Sequence, residues 1–552
     1  MKRLAALALL LIGCASNPAS SIPTGNTDTI PTAPKLVVGI VIDQMRYDYL
    51  TRYYDDFCEG GFKRLMGEGF MSHDHHFSYA PTFTGPGHAS IYTGTSPAVH
   101  GIIANDWYDR KLGKVMYCAS DSTSIPVGTE QAAAKMSAYR MLSSTLCEEL
   151  ELATQGESKT IGIALKDRSS LLPVGSGGDA AYWYMGGTEG NWISCEDYMS
   201  ELPSWVQKFN GEGHSAELLK QDWELLLDPK EYNESHADNN PYEGKMVGKV
   251  SPTFPYDLEA LAPANGNFSI LKGVPHGNTI TIEFAKAAIE AEQMGADDIT
   301  DLLALSFSAT DYVGHRFGVD AMETQDIYLR LDREIEAFLN YLDEKIGLEN
   351  VSLFVTGDHG SPHVPSYLEH QKMNGGYWQP GNMVEDVKAM LNTRYGQGEW
   401  VLNYSNDQFF LNHDLIWDSK IDIADMQSDI AAYCLKIEGV HTTITASSLM
   451  MSEFNNGIHH VIQSGYMAKR SGDVMVVTNP GWITYGRTGT THGSPFAYDT
   501  HVPLILFGNG IAPADHYKRT YIKDIAPTVA AIMGIQMPNG STGRVIHQAI
   551  ER

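Results

Sequence analysis

Apolar, β-branched runs recur along the chain, each a few residues long: Leu36 to Asp43, Thr160 to Lys166, Leu302 to Phe307, Val351 to Thr356, Val474 to Thr478 and Val502 to Phe507. They are apolar at successive rather than alternate positions, which predicts strands covered on both faces, as in a buried parallel or mixed sheet. Helical patterns fill the intervals. Ile327, Leu331, Ile335, Phe338, Leu339 and Leu342 recur on one stripe of a helix predicted from Thr324 to Leu342, with Leu329 off it. An α/β layered fold follows. Two stretches break the rhythm. Residues 201–267 are dense in Trp, Tyr, Pro and Asn, and residues 367–469 mix strand-like segments such as Gln408 to Leu411 with a helical one from Ala424 to Ile437. Strand-like runs resume after each, so both read as inserted cap subregions on one domain spanning residues 35–552.

Composition narrows the classes of function. The chain has 552 residues and is 43% hydrophobic, enough for a large core that needs no disulfide or metal merely to fold. Its 67 acidic against 39 basic residues give a formal charge of −28, and no Lys/Arg-rich run offsets it, which argues against nucleic acid as a partner. No internal apolar stretch reaches the roughly 20 residues of a membrane span. The N-terminus differs. Met1-Lys2-Arg3 precedes an apolar run from Leu4 to Ile12, the cationic head and short hydrophobic stretch of an export signal. Leu11-Ile12-Gly13-Cys14 resembles a bacterial lipobox, which implies a signal peptide at residues 1–13, lipidation of Cys14, and a periplasmic protein tethered to a bacterial membrane. Ordinary cleavage nearby is the alternative. Residues 14–34, rich in Ser, Thr, Pro, Asn and Gly, read as a flexible stalk. Five further cysteines, Cys58, Cys118, Cys147, Cys195 and Cys434, allow at most two disulfides, and their spacing fits no zinc motif.

Ligands of open α/β sheets gather at the carboxyl ends of the strands, so the residues that end each run carry the chemistry. Asp43 ends the first run. Asp311 follows the Leu302 run, with His315 four positions on, a spacing that puts both on one helix face. Asp358 and His359 end the Val351 run, and His492 follows in Thr490-Thr491-His492-Gly493. One strand-end Asp is an ordinary turn former; six ligand-type residues at such places point to a metal centre.

In their order, Asp43, Thr84, Asp311/His315, Asp358-His359 and His492 resemble the alkaline phosphatase superfamily, and most closely its periplasmic phosphate-irrepressible (PafA-like) branch. The resemblance spans essentially the mature chain. It rests on Val41-Ile-Asp-Gln-Met-Arg-Tyr-Asp-Tyr-Leu50, Pro81-Thr-Phe-Thr-Gly-Pro-Gly-His-Ala-Ser-Ile-Tyr-Thr-Gly94, Gly101-Ile-Ile-Ala-Asn105, Thr356-Gly-Asp-His-Gly360 and Thr491-His-Gly-Ser494. It implies a three-layer sandwich whose central mixed, mostly parallel sheet is flanked by helices. It also implies two Zn²⁺ per chain, one held by Asp311, His315 and His492, the other by Asp43, Asp358, His359 and the oxygen of Thr84.

Thr84 is then the nucleophile, at a helix predicted to start near Gly87, and a phosphothreonine the intermediate. Thr82 is the rival hydroxyl, disfavoured because the family places its Asn 21 positions after the nucleophile, the interval from Thr84 to Asn105. In Ile161-Gly-Ile-Ala-Leu-Lys-Asp-Arg168, an extended chain would point Lys166 and Arg168 to one side and Asp167 to the other. Two cations suit the two charges of a phosphate monoester. This Lys-Asp-Arg resembles the monoesterase branch and is absent from the related nucleotide pyrophosphatase/phosphodiesterases.

The resemblance therefore implies broad-specificity hydrolysis of small phosphate monoesters for phosphate scavenging, with Asn105, Lys166 and Arg168 binding substrate. A phosphodiesterase of the same superfamily is the nearer alternative, and a non-catalytic ligand-binding lipoprotein the more distant one. A sulfatase is disfavoured because Thr84-Gly-Pro-Gly-His88 lacks the Cys or Ser precursor and the Arg of the formylglycine signature. Ser72-His-Asp-His-His76, His459-His460 and His501 have no strand-end context, His88 reads as a brace for the nucleophile helix, and Gly175-Ser-Gly-Gly178 is a turn without a phosphate-loop consensus.

Overall fold

The computed structural model describes residues 33–550, so the export signal, Cys14 and most of the stalk lie outside the described residues. A mixed sheet organises the rest. Across it the strands run Ala514–His516, Phe70–Ser72, Leu504–Gly508, Val351–Gly357, Leu36–Ile42, Asp301–Phe307, Thr160–Ala164, Ala180–Met185, Asn191–Cys195 and Pro126–Val127. The five from Val351–Gly357 to Ala180–Met185 are mutually parallel, and antiparallel partners flank them on both sides. Every residue of the three central strands is buried, as their unbroken apolar runs require.

Alternation along the Leu36–Ile42 strand divides the core into two layers. Leu36, Val38, Ile40 and Ile42 pack with Phe284, Leu331, Ile335 and Phe338, from the helices His276–Glu292 and Met322–Lys345. Val37 and Val41 face the other way, toward Ile91, Leu171 and Val529 of the helices Thr84–Thr93, Asp167–Val174 and Ile525–Met533. Register is level at the carboxyl edge, where Ile42 pairs with both Phe307 and Gly357. The segments that follow these three strands therefore leave the sheet at one height.

The helix predicted from Thr324 to Leu342 runs from Met322 to Lys345. All six stripe residues are buried, and so is Leu329, because the helix is covered on more than one side. Val474–Thr478, grouped in sequence with the core strands, lies instead in a separate antiparallel sheet with Val401–Ser405, Gln408–Leu411 and Val440–Thr445. A short apolar run shows that a strand is buried but not in which sheet. This second sheet has its own core around Phe409, Ile430 and Val474. It is tied to the hairpin of Asp106–Asp109 and Lys114–Tyr117, where Asn406 Nδ2 donates to Asp106 O at 2.6 Å and Arg110 Nη2 pairs with Asp473 Oδ2 at 2.7 Å. In residues 201–267, Trp223 and Tyr256 exchange backbone hydrogen bonds, and the Trp223 indole donates to Asp326 Oδ2 at 2.7 Å, which pins the segment to the Met322–Lys345 helix. Cys58, Cys118, Cys147, Cys195 and Cys434 are all free thiols, four of them buried.

Gly39, mid-strand, is where the Thr84–Thr93 helix touches the sheet. The Tyr92 hydroxyl donates to Gly39 O at 3.3 Å, and an added Cβ would overlap both Tyr92 and the Phe354 ring. Gly39→Ala is expected to destabilise the fold by about 1–3 kcal/mol through overpacking, read as a lower thermal midpoint; an unchanged midpoint would show that this contact is not tight.

Candidate active site

Adjacent parallel strands deliver the strand-end residues to one place. Asp43 follows Ile42, and Asp358 and His359 follow Gly357. The third central strand leads into the helix Ala309–Phe317, which carries Asp311 in its first turn and His315 one turn later, with His315 Nε2 3.2 Å from Asp311 Oδ1. Asp43, Asp358 and His359 are wholly buried and Asp311 nearly so. Their ligand atoms form two groups able to hold a metal ion, Asp43–Asp358–His359 and Asp311–His359–His492. His359 stands in both, because its ring stacks on that of His492 with centroids 3.4 Å apart. His315 approaches the second group through Asp311, and its Nδ1 is bonded to Thr490 O at 2.8 Å.

The donor set fits a metal. Asp43 Oδ1 and Asp358 Oδ2 are buried with no hydrogen-bond partner, a costly state for carboxylates unless a cation meets them. Carboxylate and imidazole donors together suit zinc. Burial lifts the Asp43 carboxyl to about 6, and burial with the charge of Asp43 raises Asp358 well above the usual range. Burial also acts to raise Asp311, but His315 and Lys166 outweigh it and hold that carboxyl far below its ordinary value. Burial lowers His492 to about 3 and His359 well below its usual value, which keeps both imidazoles in the neutral, ligating form.

Thr84 is the first residue of its helix, three positions earlier than the sequence pattern indicated, with Phe83 extended before it. Its hydroxyl lies 3.5 Å from His359 Nε2 and 3.4 Å from Arg168 Nη2. Asn105 Oδ1 accepts from Gly85 N at 2.8 Å. His88 bonds Thr84 O at 3.0 Å and Ser306 Oγ at 2.9 Å and is neutral, its pKa lowered by burial to about 3. Thr82 instead donates to Ser494 O at 3.1 Å. Gly87 sets the spacing between the helix and the sheet edge, since an added Cβ would stand 2.5 Å from Asp358 O.

Lys166 and Arg168 do not reach the site from one extended segment. The strand ends at Ala164, Lys166 caps the helix Asp167–Val174, and Arg168 lies in its first turn. Asp167 and Arg168 adopt helical geometry, so alternation no longer governs where their side chains go. Lys166 Nζ donates to Asp43 Oδ2 and Asp311 Oδ2, both at 2.6 Å. Burial works against its charge, but Asp311 and Asp43 outweigh it, and its pKa is raised. Arg168 Nη1 reaches the Tyr117 hydroxyl at 3.1 Å, and that hydroxyl donates to Asp167, which braces the guanidinium.

Tyr117 was not visible as a site residue in the sequence, and neither was Gln44. Gln44 N donates to Asp358 Oδ1 at 3.1 Å and its Nε2 to Asp311 Oδ1 at 2.7 Å, so one residue spans both metal-competent groups. It does so with a left-handed backbone, φ 62°. Its place directly after Asp43 was the one available signal.

The other histidine motifs are engaged elsewhere. His73 bonds Tyr47 and Asp515, His75 bonds Thr520, and His76 bonds Asp74 and stacks on His501. His460 bonds Phe454 O. The 175–178 turn binds a carboxylate of the chain itself, with Ser176 N and Gly177 N donating to Glu148 Oε1 at 3.1 Å.

The class is a layered α/β protein with metal-competent groups at the ends of its central parallel strands, and similarity to known proteins names the family. Residues 37–501 match the model described as type I phosphodiesterase/nucleotide pyrophosphatase. The chain belongs to this family, within the alkaline phosphatase superfamily. It is 42% identical over 523 residues to a protein of Myroides odoratus named calcium-transporting ATPase, covering 94% of this chain and 95% of that one. To the alkaline phosphatase PafA of Elizabethkingia meningoseptica it is 39% identical over 528 residues, covering 95% and 96%. The crystal structure of the alkaline phosphatase PafA superposes with a TM-score of 0.90 at 39% identity, covering 95% of this chain and all of that one. Among the described residues no helix is long and apolar enough to cross a membrane.

Gly87→Ala is expected to push Thr84–Thr93 away from Asp358 and weaken divalent-metal binding by about 10- to 100-fold. Calorimetric titration of the metal-stripped protein measures this; affinity equal to wild type would place the helix outside the centre.

Proposed function

We propose that the chain is a zinc-dependent alkaline phosphatase that hydrolyses phosphate monoesters through a phosphothreonine at Thr84. One observation carries the reading: two cations, the buried Lys166 and the half-buried Arg168, converge on the ground between Thr84, Asp43 and Asp311. A monoester brings two charges on its non-bridging oxygens where a diester brings one, so a pair of cations favours the monoester. The alkaline phosphatase relative, matched over nearly the whole of both chains, supports the same activity.

Asp43, Asp358, His359 and the Thr84 oxygen would hold one zinc ion, and Asp311, His315 and His492 the other. When bound, the two ions supply the positive charge that lowers the pKa of a hydroxyl and stabilises a departing oxygen. The remaining work falls to the chain. His88 and Gly85 fix the first turn of the nucleophile helix, so Thr84 Oγ meets phosphorus in line with the ester oxygen. Thr84 gives its hydroxyl proton to water as the Oγ–P bond forms and the ester P–O bond breaks, and the departing alkoxide takes a proton back from water to leave as the alcohol. Asn105, its Oδ1 committed to Gly85 N, offers Nδ2 to one equatorial oxygen, and Arg168 and Lys166 hold the others. In place of phosphoryl oxygens, Lys166 is bonded here to Asp43 and Asp311. A loose transition state asks for such positioning and charge. Water then attacks the phosphothreonine, restores the Thr84 hydroxyl and releases phosphate, and two inversions give net retention.

Lys166→Ala/Arg168→Ala is expected to lower kcat/KM for p-nitrophenyl phosphate by about 10³-fold or more and for bis-p-nitrophenyl phosphate by far less. An equal loss on both esters, or a wild type that prefers the diester, would turn the reading toward a phosphodiesterase.

A further inference from the structure

A cavity of about 400 Å³ adjoins the site where the central fold meets the second, four-stranded sheet. Phe83, the residue before Thr84, and His492 both line it, so it opens on the side of the Asp311–His492 group. Its volume suits a small organic group.

The lining is one-sided in charge. Aromatic side chains, Trp378 and Tyr404 among them, share it with two carboxylates, Asp407 and Asp499, and among the described residues no Lys or Arg lines it. Both carboxylates are built into the wall. Asp407 Oδ1 accepts from Trp378 Nε1 at 3.0 Å and Tyr404 Oη at 3.1 Å. Asp499 is wholly buried, its Oδ2 accepts from Gly493 N at 3.1 Å and Ser494 N at 2.6 Å, and its Oδ1 has no partner. Donors aimed at a carboxylate favour its anionic form, while burial pushes the other way, lifting Asp499 to about 7 and raising Asp407. Arg46 acts on Asp499 but is paired with Asp48.

We propose that the cavity takes an organic ammonium group, the cationic end of an aminoalkyl or trimethylammonioalkyl phosphate whose phosphoryl group lies at Thr84. The assignment rests on the monoesterase reading above and names a substrate class for it. An ammonium over aromatic faces beside a carboxylate gains from both the ring quadrupoles and the charge. A nucleobase would stack on the same rings but bring no charge to offset Asp407 and Asp499.

The test compares phosphocholine with 3,3-dimethylbutyl phosphate, which replaces the cationic nitrogen by carbon, and uses p-nitrophenyl phosphate as a control on the metal-loaded full chain. Phosphocholine is expected to lead its neutral isostere by about tenfold or more in kcat/KM, and the ratio should collapse toward one in Asp407→Asn. A ratio does not depend on the folded fraction, so partial misfolding does not disguise the result. If Asp407→Asn cannot be obtained, competitive inhibition of the wild type by choline but not by 3,3-dimethylbutanol makes the same distinction, and equal inhibition by both overturns the assignment. A wild-type ratio near one, or one unchanged in Asp407→Asn, also overturns it, and adenosine monophosphate as the preferred substrate would give the cavity to a nucleobase. Failure to hydrolyse even p-nitrophenyl phosphate would remove the monoesterase reading, and the ammonium assignment with it.

Discussion

Three buried carboxylates, Asp43, Asp311 and Asp358, crowd together with one lysine that pairs with only two of them, and most of the local structure answers to that constraint. Lys166 reaches Asp43 and Asp311, and an oxygen of Asp43 and one of Asp358 are left without a partner. Charge gathered this densely away from water is destabilising unless cations meet it. The chain spends a strained residue, Gln44, on two further hydrogen bonds into the cluster. It accepts a glycine at position 87 so that a helix can pass close to Asp358. These features are hard to explain as aids to stability and are what a metal centre needs.

The sheet makes such a cluster possible. Because the Val351–Gly357, Leu36–Ile42 and Asp301–Phe307 strands are parallel and end level, residues far apart in sequence leave the sheet side by side. Helix starts supply the rest: Asp311 and His315 on one helix and Lys166 and Arg168 at the start of another, each directly after a strand, and Thr84 at the start of a third that follows a loop. The second sheet adds a wall, and its attachment through Asn406 to Asp106, next to Asn105, brings that wall to the mouth of the site. On the proposed reading, a strongly acidic chain would handle an anion through a few local cations and metals rather than through its overall field.

The parts of the site that were legible in the sequence are those set by local rules. Asp43, Asp311, Asp358 and His359 could be found because each ends or closely follows an apolar run, and the i, i+4 spacing of Asp311 and His315 survives in the structure as a shared helix face. What stayed hidden depends on distant packing. Lys166 and Arg168 were recognisable as a cation pair, but the turn between them was misjudged, since an extended and a helical start share the same residues. Gln44 and Tyr117 carry no distinctive spacing, and their roles come from partners hundreds or dozens of positions away. The stacking of His359 on His492, which puts His359 in both metal-competent groups, is likewise a tertiary fact. The assignment of Val474–Thr478 failed for a different reason, because burial pattern reports cover and not neighbours.

The claim that the buried carboxylates exist to hold two metal ions is tested most directly by diffraction at the zinc absorption edge from crystals grown with zinc. Two anomalous peaks are expected, one among Asp43, Asp358 and His359 and one beside Asp311, His315 and His492, with Lys166 moved off at least one of its carboxylates. A map with no peak at these residues, and Lys166 still bonded to both Asp43 and Asp311, would contradict it.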